Sequence, residues 1–128
     1  MRVAGIGFRS AASLPSLVDA LQRALAEAGG GTLDALVTES AKSREPVFRE
    51  LAQSMGLPGL GVTQQDLGQM ITPTQSQRIQ DQFGTGSLAE AAALAAAGPE
   101  ATLAACRVVS GDGMATAAIA DSQRKDPR

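Results

Sequence analysis

The sequence predicts a three-layer α/β/α fold, in which helices cover both faces of a mixed sheet that is mostly parallel and ends in an antiparallel C-terminal hairpin. Short apolar runs alternate with amphipathic segments of helical spacing over most of the 128 residues. The last two apolar runs flank Asp112-Gly113, a pair typical of hairpin turns. Apolar residues make up 44% of the chain, enough for one domain at residues 1–120 with a polar tail at 121–128.

The apolar runs predict five strands. They are expected at residues 3–6, 35–38, 60–62, 103–109 and 114–120. Cys106 falls inside the fourth run, and we expect it to be buried there as a packing residue.

Capping and breaking residues set the predicted helices. Ser13 begins the first helix and the run Gly29-Gly30-Gly31 ends it. Pro46 suits the first position of a second helix, and Thr63 caps a brief third one. The segment from Leu88 to Ala97 is the strongest helical prediction, because Gly98-Pro99 stops it.

A glycine-rich segment with Gly5 and Gly7 is predicted to form a turn after the first strand, followed by Arg9. Glycines in such a turn let backbone N–H groups approach an anion closely. The segment lacks the third glycine and the correctly spaced acid of a dinucleotide-binding fingerprint. Tight packing of a helix on the sheet is the alternative explanation, and for these two glycines alone it is the favoured one.

A second glycine-rich segment, with Gly84 and Gly86, precedes the helix predicted at 88–97. Ser87 and Glu90 match the S-x-x-E capping box, in which each side chain bonds to the other residue's backbone N–H. Glycines before a helix cap also serve a purely structural role. The pattern is therefore compatible either with anion binding at a helix N-terminus or with a sharp entry into the helix.

The loop at 39–45 holds two carboxylates, a lysine and an arginine. In a functional interpretation, Lys42 and Arg44 pair with ligand carboxylates, while Glu45 or Glu39 orients Lys42 or transfers a proton. A solvated charged loop explains the same residues. Lys42 and Glu45 are the catalytic candidates, and no catalytic group is assigned.

Composition excludes several classes of function. The chain has no histidine and one cysteine, which argues against a zinc site and a Ser-His-Asp mechanism, and we expect no metal or cofactor. A net charge of −2 and 2% aromatic residues argue against binding nucleic acid. No apolar stretch is long enough for a membrane span or a signal peptide, so we expect a cytoplasmic protein with no membrane partner.

The order of several segments resembles the CobE proteins and the C-terminal domain of CbiG, which belong to cobalamin (vitamin B12) biosynthesis. The resemblance covers residues 2–120. It is carried by V-A-G-I-G-F-R-S from Val3, K-S-R-E-P from Lys42, the break at Thr72-Pro73, G-T-G-S-L-A-E-A-A-A-L from Gly84, and A-T-A-A-I-A from Ala115.

The resemblance implies that the chain binds or handles a precorrin-type tetrapyrrole intermediate, as a carrier or accessory protein, with other corrin-pathway enzymes as partners. Whole CbiG proteins open a lactone on the macrocycle, so an enzyme acting on a precorrin is the alternative. A small nucleotide- or phosphate-binding domain is a third hypothesis. The positions that match the family pattern, and are expected to bind the ligand, are Gly5, Gly7, Arg9, Lys42, Glu45, Gly84, Gly86, Ser87 and Glu90.

Overall fold

The computed structural model describes residues 1–77, 79 and 87–122, and it confirms the α/β fold. The elements that lie wholly within these residues are five strands, four α-helices and a short 3₁₀ helix. The strands are β1 (Arg2–Phe8), β2 (Ala35–Glu39), β3 (Gly59–Val62), β4 (Thr102–Val109) and β5 (Ala115–Asp121). The helices are α1 (Leu14–Glu27), α2 (Pro46–Met55), α3 (Gln64–Gly68) and α4 (Leu88–Ala97), and the 3₁₀ helix is Lys42–Arg44.

The five strands form one mixed sheet in the order β3-β2-β1-β5-β4. Strands β1, β2 and β3 are parallel, while β5 is antiparallel to both of its neighbours. The β1–β5 ladder is regular over the whole of β1. The β4–β5 ladder shifts register between Leu103 and Ala105 and again between Ala105 and Val108. The predicted C-terminal hairpin is therefore confirmed, with an irregular outer strand.

Two buried clusters on opposite faces of the sheet make the three layers. Alternate residues of a strand point to opposite faces. Helices α1 and α2 pack on the face that contains Ile6, Leu36 and Ile119. Helix α4 packs on the other face, where Val3 and Val37 are fully buried. None of the helices in the part of the chain that the structure describes is long and apolar enough to cross a membrane.

The predicted turn at Gly5 and Gly7 is wrong, because both glycines lie inside β1. Gly5 pairs with Val37 of β2 and with Ala118 of β5. A Cβ atom on Gly5 would lie 1.9 Å from the carbonyl oxygen of Ala89 in α4, which is an impossible approach. The glycine thus lets the backbone of the alanine-rich helix α4 rest directly on β1. The packing alternative is the correct one for Gly5.

Two other predicted positions also change. Cys106 is exposed instead of buried, in the part of β4 where the register shifts interrupt the simple alternation of side chains. Asp121 belongs to β5 instead of the tail, and its carboxylate accepts hydrogen bonds from the guanidinium of Arg2. Gly84 and Gly86 lie outside the described residues.

Candidate functional site

A pocket of about 400 Å³ opens at the edge of the sheet where β1 and β2 end. Its walls come from the end of β1, the 3₁₀ helix, the start of α4 and the β4–β5 hairpin. The described residues that line it are Gly7, Phe8, Arg9, Ser10, Lys42, Ser76, Ile79, Ser87, Leu88, Arg107, Val109, Gly113, Met114, Ala115 and Thr116. The volume lies toward the lower end of the range for small-molecule sites, roughly 300–1,000 Å³.

Three cationic side chains from three different segments line this pocket: Arg9, Lys42 and Arg107. Among the described lining residues there is no aspartate or glutamate. This local excess of positive charge occurs in a chain whose net charge is −2. A concave surface with one sign of charge concentrates ligands of the opposite sign, so the pocket suits an anionic ligand.

Lys42 is held at the mouth of the pocket by β1. Its Nζ donates a hydrogen bond of 2.7 Å to the carbonyl oxygen of Phe8 and lies 4.5 Å from the centre of the Phe8 ring. That ring in turn stacks on Phe48 of α2, with 6.4 Å between ring centroids. The loop after β2 therefore meets the end of β1 at one edge of the sheet.

Glu39 stabilises the loop that carries Lys42, but through the backbone. Its carboxylate accepts hydrogen bonds from the N–H groups of Ala41 at 3.1 Å and Lys42 at 3.3 Å. Arg44 and Glu45 are exposed and are not among the residues that line the pocket. The structure therefore does not bring Glu45 to the pocket beside Lys42, and a ligand contact by Glu45 stays a prediction.

The N-terminus of α4 forms another wall. Ser87 is the N-cap, and its Oγ accepts a hydrogen bond of 3.3 Å from the N–H of Glu90, as the capping box predicts. Ser87 and Leu88 both line the pocket. The positive end of the helix dipole therefore adds to the charge of the three cations. The role predicted for Gly84 and Gly86 in front of this helix is not tested, because they lie outside the described residues.

Glu90 completes only half of the predicted capping box. Its side chain is fully buried, and its carboxylate bonds to two other segments. It accepts hydrogen bonds from the N–H of Thr74 and from Thr74 Oγ1, both at 2.9 Å, and from the N–H of Arg107 at 2.8 Å. A direct ligand contact by Glu90 stays a prediction, and its burial argues against one. Gly5 is likewise covered by α4, whereas Gly7 lines the pocket.

The β4–β5 turn, which carries the lining residues Gly113 and Met114, is fixed by Asp112. Hydrogen bonds from the hydroxyls of Ser110 and Ser16 and from the N–H of Met114 lower the pKa of Asp112 to about 2. An ionised carboxylate is the better acceptor for these donors, which explains the direction of the pKa change. The hydrogen bond from Ser16 thereby joins the turn to α1, which packs on the opposite face of the sheet from α4.

Arg107 is the cationic lining residue that sequence reasoning missed. The sequence did contain a signal, because Arg107 is a lone charged residue in the apolar run of β4. Nothing in that run showed which way its side chain would point, since the register shifts of β4 arise from its pairing with β5. Within the described residues, no group of three or more His, Cys, Asp or Glu side chains is arranged to hold a metal ion.

The family model described as "Cobalamin synthesis G C-terminus" matches residues 2–120 of the chain. A search of curated proteins found no match. Among solved structures, the chain is similar to CobE, a protein from the cobalamin biosynthetic pathway, with 32% identity and a TM-score of 0.84. That alignment covers 94% of this chain and 89% of CobE.

Two further structures are similar to the chain. The cobalamin biosynthesis protein chiG from Agrobacterium tumefaciens strain C58 is 36% identical, with a TM-score of 0.74, over 97% of this chain and all of that one. A cobalamin biosynthesis protein G homolog from Sulfolobus solfataricus is 14% identical and shares the fold, with a TM-score of 0.70. There the alignment covers 97% of this chain but 37% of the other. The chain belongs to the family of the CbiG C-terminal domain of cobalamin synthesis.

Proposed function

We propose that this chain takes part in cobalamin biosynthesis by binding a precorrin-type tetrapyrrole, as a carrier or accessory protein. The observation that carries the proposal is the pocket at the end of β1. Arg9, Lys42 and Arg107 line it, and its described lining contains no carboxylate. Family membership supports the pathway. The proposal includes a cytoplasmic location and contact with other enzymes of corrin synthesis.

The chemistry of the pocket matches that of a precorrin, which is an apolar ring fringed with carboxylates. Guanidinium groups bind carboxylates through paired hydrogen bonds, and the N-terminus of α4 favours negative charge. Apolar lining residues that keep exposed surface, such as Val109 and Met114, offer a contact for the ring. A pocket of about 400 Å³ suits one edge of a macrocycle, so we expect most of the ring to remain outside it.

The carrier role is favoured over the enzyme alternative by what lines the pocket. Hydrolysis of a lactone or a C–C bond needs a group that moves a proton, and histidine or a carboxylate is the usual choice. The described lining residues include neither. Lys42 Nζ already donates to the carbonyl oxygen of Phe8, and Glu45 lies away from the pocket.

Uroporphyrin, a stable octacarboxylate porphyrin, is a suitable probe for absorbance titrations of the purified chain. We expect binding that weakens as salt increases, because the contacts are ionic. Lys42→Met and Arg107→Met are each expected to raise Kd about tenfold, the cost of losing roughly one charge-assisted hydrogen bond. Arg2→Met is the control, because Arg2 lies at the opposite sheet edge.

Three outcomes would contradict this proposal. The first is no binding of uroporphyrin by the wild-type chain, and the second is equal loss in the Arg2→Met control. The third is micromolar binding of ATP or NAD without tetrapyrrole binding, which would favour the nucleotide alternative. A pathway intermediate incubated with the chain is expected to keep its mass and spectrum over hours. A change of mass would favour the enzyme alternative instead.

A further inference from the structure

Glu90 is a buried carboxylate that bonds to Arg107, which lines the pocket, and to Thr74, which lies two residues before the lining residue Ser76. Its side chain is 0% exposed, although burying a charge is costly unless donors replace the lost water. Three donors do so: the N–H and the Oγ1 of Thr74, and the N–H of Arg107. Glu90 also lies in the first turn of α4, where the helix dipole stabilises negative charge.

The bond to Arg107 supports an irregular point of β4. The β4–β5 register shifts between Ala105 and Val108, so regular strand pairing does not by itself fix the backbone between them. Glu90 Oε2 accepts from the N–H of Arg107 at 2.8 Å and joins this segment to α4. The guanidinium of Arg107 makes no hydrogen bond or ion pair with any other described residue, and it lines the pocket.

The bonds to Thr74 support the segment that leads to a second wall of the pocket. Thr74 also closes a compact local structure, because its carbonyl oxygen accepts a hydrogen bond of 2.9 Å from Thr72 Oγ1. Gln75 Nε2 donates to the carbonyl oxygen of Thr72 at 2.7 Å. Ser76 follows directly and lines the pocket. One carboxylate therefore joins the start of α4, the segment before it and the bulged strand β4.

We propose that Glu90 is the positioning residue of this pocket: it orients Arg107 and the Ser76 wall for the ligand and does not touch the ligand itself. The inference rests on the proposed function of the pocket as a site for a polycarboxylate ring. Because Glu90 binds the backbone N–H of Arg107, it leaves the guanidinium for ligand carboxylates. A ligand-contacting role for Glu90 would instead require exposure that the side chain lacks.

The test compares the full chain with Glu90→Gln, which keeps the size of the side chain but replaces one acceptor oxygen by an NH₂ donor. We expect the backbone amide NMR signals of Thr74, Ser76 and Arg107 to move. We also expect Kd for uroporphyrin to rise about tenfold, comparable to the loss of one charge-assisted contact. Asp121→Asn is the matched control, a carboxylate that accepts hydrogen bonds from Arg2 at the far edge of the sheet. It is expected to leave both readouts unchanged.

A double-mutant cycle separates positioning from a general structural role. If Glu90 acts through Arg107, then Glu90→Gln adds little to the loss of affinity in an Arg107→Met background. Losses that simply add, or an unchanged Kd in Glu90→Gln, would overturn the inference. Thr74→Val removes one hydroxyl donor without changing a charge. It is expected to give the same amide shifts with an affinity loss of about threefold, and it replaces Glu90→Gln if that variant does not fold.

The two proposals fail in different ways. If the wild-type chain binds no uroporphyrin, the proposed function fails. In that case the NMR signals still decide about Glu90. Unchanged amide signals for Ser76 and Arg107 in Glu90→Gln would overturn the positioning role, whatever the wild-type chain binds.

Discussion

The two edges of the sheet use cationic side chains in opposite ways. At the edge where β1 ends, Arg9, Lys42 and Arg107 line one pocket whose described residues include no carboxylate. At the edge where β1 begins, each of the three nitrogens of the Arg2 guanidinium donates a hydrogen bond. Its Nε donates to Asp121 Oδ1 at 2.8 Å, and its Nη1 donates to the carbonyl oxygen of Gly30 at 2.6 Å.

The two edges differ in whether carboxylates accompany the cationic side chains, and this difference distinguishes them better than the sizes of their cavities. The groove at the Arg2 edge is of similar size, at about 600 Å³, but Asp34 and Asp121 line it together with Arg2. Hydrogen bonding to Asp121 raises the pKa of Arg2, as expected for a cation that is held by its counter-charge. A paired arginine stabilises the fold, whereas Arg9 and Arg107, whose guanidinium groups pair with no carboxylate of the described residues, are suited to a ligand.

The largest loss of stability is expected from Gly5→Ala, which disturbs the packing of α4 on β1, the strand that runs between the two edges. The added Cβ would lie 1.9 Å from the carbonyl oxygen of Ala89 and 2.8 Å from the N of Ala93. Both are backbone atoms, so α4 must move away from β1. We expect a loss of about 3 kcal/mol or more in the free energy of unfolding, measured by urea denaturation.

Gly111→Ala is the matched control for this prediction. A Cβ at Gly111 would meet Arg23 Nη2 at 3.2 Å, the end of an exposed and flexible side chain. Its expected effect is within about 0.5 kcal/mol. Equal stability of Gly5→Ala and the wild-type chain would show that contact between β1 and α4 does not hold the two edges together.

An intermediate effect is expected from Arg2→Met, which tests the structural edge. Loss of the partly buried pair with Asp121 is expected to lower the free energy of unfolding by about 1 kcal/mol. Binding of uroporphyrin at the other edge is expected to be unchanged. Arg23→Met breaks a more exposed pair with Asp19, and we expect a loss below about 0.5 kcal/mol. A lower affinity for uroporphyrin in Arg2→Met would contradict the conclusion that Arg2 serves stability and not ligand binding.

The smallest effect is a pH dependence at the turn next to the pocket. The pKa of Asp112 is about 2 in the folded chain, below its ordinary value of 3.8. The carboxylate therefore stabilises the folded state fully above about pH 4, and this contribution disappears as the pH falls toward 2. The difference in unfolding free energy between the wild-type chain and Asp112→Asn is expected to shrink over that range. A difference that stays constant from pH 5 to pH 2 would refute this assignment.

Ser110→Ala sharpens the same measurement, because the Ser110 hydroxyl is the largest cause of the low pKa of Asp112. We expect the same trend with a smaller amplitude. Removing the Ser110 hydroxyl and removing the Ser16 hydroxyl each take away one hydrogen bond to Asp112. The removal that changes the pH dependence of unfolding more shows whether the turn depends more on its own bonds or on its contact with α1.

Local patterns were sufficient for most of the fold and for part of the site. Pro46 at a helix start and Ser87 at a helix cap were predicted correctly, because capping depends on residues within one turn. The contact of Lys42 with the end of β1 depends on the parallel pairing of β1 and β2, which brings the ends of both strands to one edge. The sequence did not predict that the Glu90 carboxylate bonds to Thr74 and Arg107 or that Arg107 lines the pocket. Contacts between distant segments leave no periodic signal in the sequence.

The sequence by itself determined the layers, the strand order within the hairpin and the family, since these depend on apolar periodicity and on the order of short motifs. Only the tertiary structure decided what Gly5 and Gly7 do. Whether a glycine forms a turn or admits a helix backbone depends on what packs against it, and here α4 comes from a segment more than eighty residues away in the chain. The same close packing buried Glu90, whereas Arg9, Lys42 and Arg107 line the pocket.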